Sequence, residues 1–193
     1  METIEHQKER FDSFFLINHP TKVNLIPATD QQSQQDMHTF EQNMPYAFKI
    51  ASQLSEIESQ SLKPLRSMGD KLSELVTYLQ LQAQKIDLMM SYILLNEDQP
   101  EYQTQATKFG GGGIIVPQQK DSPIGTSVIL KIFLEQEAAA IYCQAIVVNS
   151  VSKDDLFDVS YVYTHIREQD QELLIRASLH LQTNQLRKNK TTE

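Results

Sequence analysis

The stretch LRSMGDKLSELVTYLQLQAQKIDLMMSYI, residues 65–93, places apolar side chains at Leu65, Met68, Leu72, Leu75, Leu79, Ile86, Met89 and Ile93, with Gln82 in the one remaining position. The steps alternate between three and four residues, a heptad pattern held over four repeats. On a straight helix such a seam would drift around the axis, so the pattern predicts helices wound about each other in a left-handed supercoil. With Leu65 at position a, the e positions are Gly69, Val76, Ala83 and Met90, and three c positions are Leu81, Leu88 and Leu95. A two-stranded seam needs a and d alone. An apolar face widened in this way suits a bundle of three or more helices. From Leu65 to Asn96 the helix would run about 48 Å at a rise of about 1.5 Å per residue, longer than a small domain is wide. It is therefore expected to protrude or to pair with copies of itself. The plainer alternative is an amphipathic helix packed inside its own domain. Gln82 at a d position lowers stability but can fix register and strand number by hydrogen bonding across the seam.

Composition narrows the partners. At 193 residues the chain can bury a substantial core, as one large domain or as a domain with an accessory element. A net charge of -8 argues against the phosphate backbone of nucleic acid, or an anionic membrane surface, as the main partner. The single cysteine, Cys143, excludes an intrachain disulfide and suits a reducing compartment. The opening METIEHQKERFDS lacks the basic start and apolar run of a secretory signal, and no stretch is long enough to span a bilayer. The expected location is the cytoplasm.

Along the chain, Phe11 to Ile17 and Val23 to Ile26 read as short strands around His19 and Pro20, with Pro27 closing the second. The glutamine-rich run from Ala28 to Asp36 reads as a loop. A helix is expected next, with Phe40, Met44, Phe48, Ala51, Leu54, Ile57 and Leu62 on one side, and Pro45 either in its first turn or breaking it. Pro64 marks a kink or restart, so this helix and the heptad helix form either a hairpin or one interrupted rod. After a polar segment come four glycines, Gly110 to Gly113, and then strand-like runs at Ile114 to Val116, Ser127 to Leu134, Ala139 to Val148 and Phe157 to Ile166. Their spacing and turn residues predict a small antiparallel barrel. A last helix is expected from Gln169 to about Leu186, with basic residues Arg187 to Lys190 near its C-terminus, where positive charge suits the helix dipole.

Three stretches carry a family resemblance: KFGGGGIIV at 108–116, SPIGTSVILKIFL at 122–134 and VSYVYTHIREQDQELLIRASLHLQ at 159–182. In order and spacing they resemble the signature strand entry, the turn before the long strand, and the closing strand and helix of the PilZ family of bacterial cyclic di-GMP receptors. Together they span about the last ninety residues. The heptad helix is similar to an atypical branch in which long helices assemble the protein into tetramers. The resemblance implies an α+β fold, a small antiparallel PilZ-like β-barrel with a C-terminal helix, plus long helices forming an oligomeric coiled-coil bundle. It divides the chain into an N-terminal segment, 1–37, whose strands join the barrel; a helical oligomerisation region, 38–98; and the barrel with its final helix, 99–193. Phe11 to Ile17 is expected to supply the opening strand, because the segment between Asn96 and the glycines reads as too short for one.

The family grips cyclic di-GMP with paired arginines in an R-x-x-x-R run and with a D/N-x-S-x-x-G motif. No arginine lies between Asn96 and Phe109. Aligned on its last glycine, the motif has Lys108 at the acidic or amide position, Gly110 at the serine, and only Gly113 retained. A lysine cannot accept the guanine N–H bonds and a glycine has no hydroxyl, so the resemblance implies a degenerate ligand motif and weak or absent binding by the usual mode.

Other chemistry finds little footing. The glycines lack the following Lys and Ser or Thr of a P-loop and read as a flexible or positive-φ turn into a strand. Cys143 lies in an apolar run with no histidine near it in sequence and reads as a small core residue. The five histidines have no metal-ligand spacing, and Asp154, Asp155 and Asp158 read as solvated turn residues. No catalytic group, metal or cofactor is expected. The expected function is a non-catalytic regulatory adaptor, a homotetramer working through an unidentified protein partner in the pathways of the family: motility, pili or virulence. The alternative is a cyclic di-GMP receptor that uses Arg10, Arg167 or Arg176 instead. A third reading is a coiled-coil scaffold whose barrel resemblance is fortuitous.

Overall fold

In β4, Ser127–Leu134, nearly every residue is buried, although the strand belongs to an antiparallel sheet. Such sheets often face water on one side; here both faces are covered. Val128, Leu130, Ile132 and Leu134 point into one core, while Ile129 and Phe133 point into another. The period-two alternation is intact, and it alternates between two apolar environments. The computed structural model describes residues 3–51, 53, 54, 57 and 73–191.

Six strands close into an antiparallel barrel in the order β1-β2-β3-β6-β5-β4, where β1 is Ile17–Pro27, β2 Gln103–Phe109, β3 Gly113–Gln118, β5 Ala139–Lys153 and β6 Leu156–His165. β1 closes the ring by pairing with β2 on one side and β4 on the other, with Val23 opposite both Thr104 and Ile132. The barrel interior holds Val23, Phe109, Ile114, Ile141, Cys143 and Tyr161, and the last helix, α6 (Glu168–Thr191), adds Leu173, Leu174, Ala177 and Leu181. The outer faces of β4 and β5 are covered by the helices inserted between β1 and β2. Helix α1, Ile4–Ser13, covers Val148 and Val162 with Phe11. The fold class read from the sequence is borne out: α+β, with a closed antiparallel barrel, a C-terminal helix and further helices.

Several elements depart from their sequence reading. Phe11 belongs to a helix and not to a strand: Thr3 accepts from the His6 N–H and caps it, and Phe11 occupies its buried face. The opening strand is Ile17–Pro27, one continuous element through His19 and Pro20. A register shift between Asn18 and Thr21 accommodates the proline, which has no N–H to give to a ladder. The polar run at 28–36 contains a helical turn, α2 (Asp30–Ser33), because Thr29 and Gln32 form a reciprocal capping box. Helix α3, Met37–Asn43, is capped by Asp36 and ends before Pro45; residues 46–51 are helical again and are called α4. Pro45 thus breaks the helix. Helix α5 is Ser73–Leu95. Leu62, Pro64, Leu65, Met68 and Leu72 lie outside the described residues, as does the choice between hairpin and rod.

The turn between β4 and β5 contains one strained residue. After the 3-10 turn at Glu135–Glu137, Ala138 adopts φ 47°, ψ 35°, a left-handed conformation that costs an L-residue roughly 1–2 kcal/mol. Ala138→Gly is expected to relieve the strain and raise the melting temperature by a few degrees. Thermal denaturation showing a lower melting temperature would contradict that account.

Candidate functional site

The four glycines are buried, and the reason is space rather than backbone conformation. Among the described glycines only Gly125 has positive φ, so the expectation of a positive-φ turn at Gly110 to Gly113 is not met. A Cβ on Gly110 would collide with the Phe15 carbonyl oxygen, one on Gly112 with the Phe14 ring, and one on Gly113 with the Tyr161 carbonyl oxygen; at Gly111 it would press into Ile175. The C-terminal end of α1 and the first turns of α6 lie directly on the run, and Gln171 Nε2 donates to the Gly111 carbonyl at 2.9 Å. Lys108 is half-buried on β2, opposite Ile115 and Asn18. The structure therefore places Lys108, Gly110 and Gly113 in one short segment whose glycines are covered by the protein's own helices.

The three arginines of the alternative reading lie on different elements. Arg10 is exposed on α1 and Arg176 exposed on α6. Arg167 is committed: its Nε donates to Asp170 Oδ2 at 2.7 Å, and its Nη2 donates to Asp170 Oδ1 and to the Phe48 carbonyl, each at 3.1 Å. The guanidinium is thereby held by a buried carboxylate and the backbone of α4.

The heptad helix presents two unlike faces. Met90 and Leu94 are buried against Phe40, Phe48, Phe133 and Tyr142, which docks the C-terminal part of α5 on the barrel. The next face is open: Leu75, Leu79, Ile86, Met89 and Ile93, all a or d positions, are exposed, as are Tyr78, Leu81, Leu88, Tyr92 and Leu95 beside them. Gln82 is half-buried. Met89 is 60 % exposed and its neighbour Met90 only 5 %, so the boundary between the docked and open faces is one residue wide.

A polar joint fixes the angle at which α5 leaves the barrel. Buried Asn24 on β1 donates from Nδ2 to Asp98 Oδ1 at 2.8 Å and to the Gln99 carbonyl at 3.2 Å, and its Oδ1 accepts from the Gln99 N–H at 2.9 Å. Lys22 Nζ is 2.6 Å from Asp98 Oδ2. Lys131, buried on β4, donates to the Glu97 carbonyl at 2.7 Å. Burial pushes the Asp98 carboxyl up, but the hydrogen bonds from Lys22 and Asn24 and the Lys22 charge outweigh it and hold the group below its ordinary value. The sequence reading missed this joint. Its one signal is Lys131, a lone lysine inside the apolar run SVILKIFL, because a buried lysine requires a paired acceptor.

The remaining reactive groups are structural in their surroundings. Burial raises the Cys143 thiol well above its usual value, and the Asp170 charge adds to this, so the thiolate is disfavoured. Burial likewise raises Tyr163, with Cys143 as the second cause. His165 is lowered by burial, against the Asp36 charge and a backbone hydrogen bond at Gln35, and stacks obliquely on Phe40 with ring centroids 5.8 Å apart. Among the described residues no group of three His, Cys, Asp or Glu side chains is placed to hold a metal, and no helix is long and apolar enough to cross a membrane.

No family model matches the sequence, and no curated protein matches it. Among solved structures the chain is similar to a pathogenic protein from Xanthomonas campestris, described as a new tetrameric PilZ domain self-assembled via an unusual helical bundle. That likeness has a TM-score of 0.58 and 15% sequence identity and covers 94% of this chain and 96% of that chain. The chain is also similar to the inhibitor of motility from Bacillus subtilis, with a TM-score of 0.41 and 26% identity over 45% of each chain.

Proposed function

Because this chain has a PilZ-type fold with a long helical insertion, we propose that it is a non-catalytic adaptor that self-assembles through α5 and acts by protein contacts. The observation that carries the reading is the open a and d face of Leu75, Leu79, Ile86, Met89 and Ile93 on a helix whose other face is already docked. Contiguous apolar surface of this kind marks an interaction site. Its width, with Leu81, Leu88 and Leu95 at c positions also exposed, favours a bundle of several helices over a pair. A homotetramer is the assembly of the Xanthomonas protein, and it is the one proposed for this chain. Light scattering is expected to give about four times the 22.1 kDa of one chain. A particle with the mass of a single chain would sink the reading.

The covered glycine run supports a regulator that does not hold cyclic di-GMP through Lys108, Gly110 and Gly113. Calorimetric titration with the dinucleotide is expected to give no saturable heat. Low-micromolar binding abolished by Arg176→Ala would instead favour the receptor that uses non-standard arginines. Signalling in motility, pilus assembly or virulence, in the cytoplasm of a bacterium, is the setting proposed from the family resemblance.

A further inference from the structure

Two clefts open on either side of the turn between β4 and β5. One, of about 160 Å³, lies between the bulged start of β1, the turn and α6, over Phe109, Ala177 and Leu181. The other, of about 230 Å³, lies between the turn and the end of α5, against Leu94, Leu95 and Ala139. They share four lining residues, Lys22, Phe133, Leu134 and Glu135, so they adjoin along one ridge. Each has room for one or two side chains and is smaller than the roughly 300–1,000 Å³ of a typical small-molecule pocket. Two adjoining side-chain-sized hollows fit a peptide better than a compact ligand.

The charges around the ridge determine the sign of the partner. Lys22 is neutralised by Asp98 at 2.6 Å, with its Nζ 5.4 Å from the centre of the Phe133 ring. Glu137 is engaged by His180 at 3.2 Å. Among the described residues Glu135 has no hydrogen bond or ion pair to its carboxylate, and it stands where the clefts meet. The turn that carries it is closed by left-handed Ala138. A net charge of -8 on the whole chain adds long-range attraction for a cation.

We propose that the two clefts form one docking groove for a basic, amphipathic segment of a partner protein. A lysine or arginine of that segment pairs with Glu135, and apolar side chains flanking it enter the two clefts. The inference rests on the adaptor reading and names the chemistry of the partner that such an adaptor would carry.

The test uses the full chain with labelled Leu and Ala methyl groups and two capped tripeptides, Ac-Leu-Arg-Leu-NH2 and Ac-Leu-Glu-Leu-NH2. The arginine peptide is expected to shift the methyl signals of Ala177 and Leu181 in the first cleft, Leu94 and Ala139 in the second and Leu134 between them, and to bind about tenfold more tightly than the glutamate peptide, the scale of one partly buried charge contact. In Glu135→Lys the order should reverse. Equal binding of both peptides, shifts confined to other methyl groups, or no shift with either peptide overturns the proposal. So does a change in particle mass on Glu135→Lys, which would make the groove a contact between copies. Light scattering on the same samples separates this result from the assembly reading: a single-chain particle that binds the arginine peptide defeats only the assembly, and a tetramer that binds neither defeats only the groove.

Discussion

Replacing Leu79 and Ile86 together by aspartate is expected to reduce the assembly to single chains while leaving the barrel folded. Both side chains are exposed in the isolated chain, so neither carboxylate would enter the chain's own core. In a bundle they would occupy two consecutive a layers. Every copy would bring unpaired carboxylates into the seam, at several kcal/mol of desolvation for each. A few kcal/mol per chain raises a dissociation constant by orders of magnitude, enough to separate the copies at micromolar concentration. The thermal transition of the barrel should move little. Gln84→Glu, at an exposed f position, serves as the charge control and should leave the mass unchanged. Met90→Asp provides the opposite contrast: it places a carboxylate among Phe40, Phe48 and Tyr142, so its effect should be loss of fold. If the Leu79 and Ile86 variant scatters light like the native protein, a and d do not form the seam.

The parts of this molecule that were legible in the sequence are those where one physical signal dominates. β4 is legible to the residue because SVILKIFL lies between the Pro123 and Gly125 turn and the acidic turn at 135–137, and its branched and aromatic residues admit little else. β2 was not found. Of QTQATKF only Ala106 and Phe109 are buried, and the strand is held by its pairing with β1, whose residues pair across a long stretch of chain, from Ile17 with Phe109 to Asn24 with Gln103. Local pattern carries no record of such a partner. The same holds for Phe11 and the glycine run. The aromatic residues of FDSFFLI read as a strand, yet Phe11 packs in α1 on β5 and β6, and Phe14 lies over Gly112. In the sequence alone the missing side chains at 110–113 read as a lost ligand motif or a turn, because the residues that crowd them, Phe14, Phe15 and Ile175, are distant in the chain. The heptad was legible, but the sequence could not say which face the barrel takes. That face is defined by Met90 and Leu94 meeting aromatic residues from α3, α4, β4 and β5.

Arg167→Ala is expected to lower stability by about 3–5 kcal/mol, the usual cost of removing one partner from a buried ion pair. The Asp170 side chain is 1 % exposed and that of Arg167 is 11 %. Arg167 donates to both Asp170 oxygens and also to the Phe48 carbonyl, so its removal takes two donors and a positive charge from a buried carboxylate and one donor from an α4 carbonyl. For a chain of this length the melting temperature should fall by roughly 10 °C. Lysine cannot supply two parallel N–H groups to a carboxylate, so Arg167→Lys should recover only part of the loss. Adding Asp170→Asn to Arg167→Ala should recover more, because a buried carboxylate that has lost its arginine is a larger penalty than a buried amide. The pair also joins α6 to α4, and α4 supplies Phe48 to the surface on which Met90 and Leu94 of α5 rest. Hydrogen exchange in Arg167→Ala should therefore quicken first at 46–51 and at the C-terminal turns of α5, before the barrel strands. A variant that melts within about 2 °C of the native protein and exchanges uniformly would show that Arg167 does not hold these elements together.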